Sequence, residues 1–191
     1  MSLPKNSQKL SRDTLLPKLA DYVLEYGLND ASLRPLAKAA GTSDRMLIYH
    51  FGSKDRLIAD LLEYIAALYS ASLDVAMGQD RAETRQEVIS RVLTQTRGEQ
   101  MRPFMVLWWE IVAGAARGNA NYAAAAEAMM KRLLGWLEEQ MPVDDPNPTG
   151  GARYLLTLIE GTLMLSAVGQ ARIAREGLLA SDFAGGLASD R

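Results

Sequence analysis

Residues 32–57 read SLRPLAKAAGTSDRMLIYHFGSKDRL, and this stretch decides the fold. Leu33, Leu36, Ala37 and Ala40 recur at helical spacing, so the first segment buries one face. Gly41 follows the last periodic residue, where a helix end takes a left-handed conformation that favours glycine. Ser43 stands where a second helix needs an N-cap, its hydroxyl able to accept a bond from an orphan amide. Leu47 and Phe51 are one turn apart and face back onto Leu36 and Ala40. Asp44, Arg45, Met46, Ile48, Tyr49 and His50 are left largely free of the core. Gly52 ends the second helix and Ser53 caps a third. Two short helices joined by a brief glycine-containing turn have the arrangement of a DNA-binding helix-turn-helix.

The same residues resemble the N-terminal domain of the TetR family of bacterial transcription regulators. The resemblance is carried by Leu36-Ala37-x-x-Ala40-Gly41-x-Ser43 and then Leu47-x-x-His50-Phe51-x-Ser53-Lys54-x-x-Leu57, about a quarter of the chain. Beyond it only length and helical rhythm match. Two positions depart from the family pattern. The family usually has Tyr where Ile48 stands, and Tyr49 here fills the neighbouring variable position. It also often has a small residue where Arg45 stands. Arg45 can supply a replacement contact, because a guanidinium bonds a guanine edge bidentately.

The expected DNA-facing set is Ser32, Arg34, Thr42, Ser43, Asp44, Arg45, Met46, Ile48, Tyr49, His50 and Lys54. Lys54 and the Ser53 N-terminus form the expected phosphate clamp, since helix N-termini point N–H groups at anions. Asp44 repels phosphate, so it either accepts from cytosine N4 or orients Arg45. The plain alternative for all of them is an ordinary exposed helical turn.

Bulk composition bounds the rest. The chain has 191 residues, enough for one large or two small domains, and a formal net charge of −2. It is no generic polyanion binder. Residues 1–60 hold nine Lys/Arg against seven Asp/Glu, and the remainder holds twelve against sixteen, a weak asymmetry consistent with DNA contact confined to the first part. There is no cysteine and one histidine, which excludes disulfides and thiolate chemistry and makes a zinc site improbable. No cofactor, no metal and no enzymatic activity are expected, because no paired carboxylates, metal spacing or nucleophile motif stands out. The N-terminus lacks the apolar run of a secretory signal. The greasiest stretch, 154–168, is interrupted by Glu160 and Gly161 and falls short of the ~20 residues of a membrane span. The expected location is therefore the cytoplasm.

Reading along the chain, residues 1–10 form a polar tail whose Lys5 and Lys9 can reach phosphate. A first helix runs from about Ser11 to Tyr26. Pro17 favours Thr14 over Ser11 as its cap, because the proline then falls in the tolerated first turn. A long helix follows from Lys54 to about Met77, with stripes of Leu57, Leu61, Ile65, Leu68, Leu73 and of Ile58, Leu62, Tyr69. It is long enough to bridge two domains and to tilt the reading helix from its far end, which is also what the TetR resemblance implies. Further helices are read over 80–96, with Val88, Ile89, Val92 and Leu93 inside, and from Pro103 onward, with Val112 among its buried residues. Another begins after Asn119 or Asn121. A loop, PVDDPNPTGG, precedes a last long helix over 152–169, with 170–179 extending it or forming a short one. Arg81, Glu83, Arg85 and Glu87 read as a solvated face, and the tail 181–191 as disordered.

Two further constellations carry expectations. Tyr64, Phe104, Met105, Trp108 and Trp109 either line an apolar pocket for a small effector or are plain core; the family likeness favours the pocket. Glu110 and Glu160 are charges on greasy helices, more readily exposed or paired than pocket-lining. Met129, Leu133, Trp136, Leu137, Tyr154, Leu158 and Leu165 offer more apolar surface than one small core needs. They suit a two-fold four-helix interface, with intrachain packing as the alternative. A dimer would place two reading helices on one DNA face, about 34–36 Å apart or a multiple of this, and calls for a near-palindromic operator.

The expectation is thus an all-α protein of about nine helices. A three-helix helix-turn-helix domain spans 1–52, and a helical ligand-binding and dimerisation domain spans 53–191. Its expected role is that of a homodimeric, sequence-specific transcriptional regulator, a repressor released from double-stranded DNA by a small apolar effector, with no membrane partner. The rival reading is a helical small-molecule-binding or scaffolding protein with a vestigial helix-turn-helix.

Overall fold

The computed structural model describes residues 10–77 and 81–180. Among these the chain forms α1 (Arg12–Tyr26), α2 (Leu33–Ala40), α3 (Asp44–Phe51), α4 (Lys54–Met77), α5 (Arg85–Thr96), α6 (Arg102–Ala116), α7 (Ala120–Gln140), α8 (Pro148–Ala167) and α9 (Ala171–Ala180), with a single 3-10 turn at Glu99–Met101 and no strand. The all-α expectation holds. The Lys5 and Lys9 arm, the helix start at Asp80 and the 181–191 tail lie outside the described residues. No described helix is long and apolar enough to cross a membrane.

Packing divides the chain into two units, Met1–Tyr69 with Arg102–Met129 and Ser70–Met101 with Met130–Arg191. The division passes through α4 and α7 and does not coincide with the functional boundary expected at 52/53. The reason is visible in the first unit's core. Leu107 and Ile111 of α6 are buried in the same cluster as Leu15, Leu19, Leu36, Leu47, Phe51, Leu57 and Leu61. Helix α6 therefore packs with the helices that precede it by many residues.

Within this unit α1 starts earlier than expected. Ser11, not Thr14, is the N-cap. The Thr14 amide donates to Ser11 Oγ at 3.4 Å, and the Ser11 amide donates to Thr14 Oγ1 at 2.9 Å. This reciprocal pair satisfies two orphan donors, which a Thr14 cap would not. Pro17 consequently lies inside the helix. The carbonyl it leaves without an amide is that of Asp13, an exposed residue that water can reach. Glu110 of α6 closes the other end of this region, its Oε2 accepting the Leu28 amide at 2.7 Å. Glu110 is thus a paired residue.

Helix α4 begins at Lys54 with the Ser53 hydroxyl accepting the Arg56 amide at 3.1 Å. Its stripes are buried at Leu57, Ile58, Leu61, Leu62, Ile65 and Leu73, but Leu68 is exposed. Each residue turns the helix by about 100°, so the buried arc drifts along a 24-residue helix. By Ala66 and Leu73 it has moved away from the side that carries Leu68. Val112 on α6 is likewise exposed, and so is Val106, so that helix is buried on fewer sides than its composition suggests.

In the second unit, Val88, Ile89, Val92 and Leu93 of α5 are buried as expected. The helix starts at Arg85, capped by Thr84, and residues 81–84 before it are not helical. Helix α8 starts at Pro148 with Asn147 as its cap, so Thr149, Gly150 and Gly151 belong to the helix and not to the preceding loop. Arg81 is exposed, as a solvated face requires, and Arg85 half-buried, but both are paired. Arg81 donates to the carbonyls of Met141 at 2.8 Å and Glu139 at 3.1 Å, satisfying the end of α7. Arg85 grips the Asp145 carboxylate with two bonds of 2.6 Å. Its guanidinium lies so close to α8 that a β-carbon at Gly151 would sit 2.7 Å from Nε, which explains the glycine there.

The Asp145 side chain is almost wholly enclosed, and the Arg85 bonds hold its carboxyl below the ordinary carboxylate value, against the opposing effect of burial. A depressed carboxylate binds fewer protons folded than unfolded, so its contribution is complete above its unfolded value and is lost as pH falls through the folded one. Asp145→Asn should therefore destabilise the second unit by about 2–4 kcal/mol at neutral pH. The gap to wild type should shrink as pH falls below about 4. Denaturant titrations from pH 7 to 3 measure this; a gap independent of pH would show that the pair contributes nothing through ionisation.

The second unit also settles which face of α7 and α8 is intrachain. Leu133, Trp136 and Leu137 are buried within the protomer, and Trp136 Nε1 donates to Asp74 Oδ1 at 2.6 Å. These three residues of the expected dimer interface are thus covered within the protomer. Met129 is half-buried against the first unit's core. Helix α8 buries Ala152, Leu155, Ile159, Thr162 and Leu163. Away from this arc Tyr154 is 40% and Met164 48% exposed, and at its edge Leu158 and Leu165 are half-buried. Helix α9 is separate from α8, the chain turning at Val168 and Gly169.

Candidate nucleic-acid interface

The geometry of α2 and α3 follows from local chemistry. Gly41 adopts φ 68°, ψ 36°, the left-handed conformation that a Cβ disfavours. Its amide returns to Lys38 O at 3.2 Å, and the Thr42 amide to Ala37 O at 2.9 Å. Ser43 Oγ then accepts the Met46 amide at 3.3 Å, so the chain turns from one helix to the next in three residues.

Helix α3 has eight residues, too few to stand alone in water. Leu47 and Phe51, at 0% and 1% exposure, anchor it to the core. At about 100° per residue, Arg45 and Tyr49 point away from that anchor and lie one turn apart. Tyr49 is 77% exposed, and Asp44 and Arg45 are exposed too. Ile48 and His50 flank the buried arc and are half-buried, as is Met46. Ser32, Arg34, Ser43 and Lys54 are exposed and Thr42 half-buried.

His50 departs from the expectation of a free reader. Its Nε2 is buried with no hydrogen-bond partner, and its ring meets Tyr49 edge-on at 5.2 Å. Its carbonyl is held by Arg12, whose Nε donates at 2.7 Å. Sequence reading missed Arg12 altogether, since it lies outside every motif.

The aromatic cluster is divided in its surroundings. Tyr64, Phe104 and Trp108 pack against the first unit's core, and Phe104 lies 6.0 Å from the Tyr69 ring. Met105 and Trp109 are half-buried. The described residues form an open groove elsewhere, between α5 and α9, of about 190 Å³, with Ile89, Leu93, Arg97 and Arg175 among its lining. It is smaller than the roughly 300–1,000 Å³ of typical ligand sites and does not involve the aromatic cluster.

A short helix with an apolar anchor, an exposed Arg/Tyr face and a capped three-residue turn defines a helix-turn-helix protein. Residues 23–61 match the family described as bacterial regulatory proteins, tetR family. The HTH-type transcriptional regulator BetI of Stenotrophomonas maltophilia (strain R551-3) is 25% identical over 168 residues, covering 82% of this chain and 81% of that one. A protein assigned as a transcriptional regulator of Streptomyces coelicolor A3(2) superposes with a TM-score of 0.68 at 26% identity, over 87% of this chain and 95% of that one. The multidrug binding protein EbrR, complexed with proflavin, does so with a TM-score of 0.66 at 20% identity, over 88% and 97%. The chain thus matches the TetR family over residues 23–61 and is similar along most of its length to these regulators.

Proposed function

We propose that this protein is a homodimeric, sequence-specific DNA-binding regulator that represses transcription until a small apolar effector releases it. The observation that carries the reading is the Arg45–Tyr49 face, exposed on a helix whose opposite side is locked by Leu47 and Phe51. Such a helix can enter a major groove while the Ser53–Lys54 helix start meets phosphate. The weak basic surplus of residues 1–60 fits contacts confined to this end.

Dimerisation is assigned to the outer side of α8, with Tyr154, Leu158 and Leu165 as its centre. The effector is assigned to the surface near Tyr64, Phe104, Met105, Trp108 and Trp109. In support, the similarly folded multidrug binding protein EbrR is complexed with proflavin, a small organic molecule. Release requires that the effector prefer the non-binding dimer geometry by about 1–3 kcal/mol or more.

The test is selection from a random DNA pool, followed by affinity measurements at two salt concentrations. Enrichment of a near-palindrome, bound in a salt-dependent way and far above random DNA, is expected. Failure of folded protein to enrich any sequence overturns the reading in favour of a ligand-binding protein without DNA function. Arg45→Ala should cost about 1–3 kcal/mol of operator binding and relax specificity at one base position. An equal loss on operator and random DNA would reduce Arg45 to a phosphate contact.

A further inference from the structure

We propose that Arg12 is a positioning residue for DNA reading: it fixes the pitch of α3 without itself specifying sequence. This rests on the DNA-binding reading above. Three contacts place it. Its Nε donates to the His50 carbonyl at 2.7 Å. Its NH1 donates to Asp60 Oδ2 of α4 at 3.1 Å. Its guanidinium also lies 5.5 Å from the centre of the Phe51 ring. One side chain from the first turn of α1 thus ties together the last turn of α3 and the second turn of α4.

The physical need is specific to α3. The last carbonyls of any helix lack intrahelical partners. Here Gly52 N–H returns to Ile48 O at 2.7 Å, and Arg12 takes the His50 carbonyl. A cation at this end also complements the negative pole of the helix. In an eight-residue helix anchored by Leu47 and Phe51 on one side, the anchor resists separation better than rocking about its own line. Arg12 adds a polar tether off that line, and Asp60, itself 4.0 Å from Arg56, holds the tether in orientation. Base-edge bonds from Arg45 and Tyr49 need placement to about 0.5 Å, so loosening the tether should degrade sequence reading before it degrades phosphate attraction.

The experiment compares full-length wild type, Arg12→Gln, Arg12→Lys and Asp60→Asn on the selected operator and on random duplex of equal length, at two salt concentrations. Circular dichroism melts are run alongside. Arg12→Gln should weaken operator binding about tenfold, the value of one charge-assisted hydrogen bond, and change random binding little. The salt slope should stay as in wild type. Arg12→Lys keeps the charge beside Asp60 but not the planar fork, and should recover part of the loss. Asp60→Asn should show the same signature more weakly, with Arg12 intact.

A parallel loss on both DNAs, with the salt slope lowered by about one, would make Arg12 a phosphate contact and overturn the proposal. A lowered melting temperature with an unchanged operator-to-random ratio would overturn it too, leaving a stabilising role only. If Arg12→Gln does not fold, Asp60→Asn decides by the same ratio. Wild type that binds no operator fails the DNA-binding reading itself and takes this inference with it.

Discussion

Leu158→Asp is expected to abolish the proposed dimer and operator binding together. Leu158 is half-buried on α8, at the edge of the arc covered by Leu155 and Ile159, between Tyr154 and Leu165 at helical spacing. In a two-fold interface the substitution occurs twice. Each uncompensated buried carboxylate costs about 3–5 kcal/mol, so the association constant should fall on the order of 10⁴-fold or more. Loss of the second half-site contact then removes roughly 10²–10⁴ in operator affinity. Sedimentation velocity reads the first effect and operator titration the second, with circular dichroism verifying the helices. A Leu158→Asp protein that remains dimeric and bound to its operator would remove α8 from the interface.

Phe51→Ala should have the largest effect on stability. The ring is 1% exposed, ends α3, and packs in the core with Leu15, Leu36 and Leu47. Truncating a buried phenylalanine costs about 3–5 kcal/mol through lost transfer energy and the cavity left behind. It also removes the ring beneath Arg12. Because the chain packs as two units, the loss should appear as an early transition of the first unit, not as a uniform shift. Thermal melts followed by far-UV circular dichroism, with operator binding measured in parallel, test this. A single unshifted transition would show that α3 contributes little to the first unit's core.

The helix-turn-helix was legible because its determinants are local. Leu36, Leu47 and Phe51 mark the buried faces by spacing, while Gly41, Ser43 and Ser53 mark the ends by short-range chemistry, and each lies where it was read. Local chemistry was ambiguous where two residues could do the same work. Ser11 and Thr14 both carry cap hydroxyls, and only their reciprocal bonds decide between them. Helix spacing also overreached at Leu68, whose stripe turns out of the core as α4 proceeds.

Other residues changed meaning because their partners are remote. Arg85 and Asp145 stand 60 positions apart, as do Arg81 and the Met141 carbonyl. No periodicity distinguishes a paired arginine from a solvated one. His50 shows the same limit within the proposed reading face, since its spacing allows exposure but neighbouring packing buries Nε2.

The sequence by itself determined the helices, the turn and the exposed face of α3 proposed to read DNA, because hydrogen bonds and side-chain faces within a few residues fix them. Only tertiary structure decided that Leu133, Trp136 and Leu137 are spent inside the protomer, that α8 retains a second apolar side, and that Arg12 holds α3. An apolar face records that it must be covered, not by what. A charged side chain records what it can bond, while the fold alone brings a partner within reach.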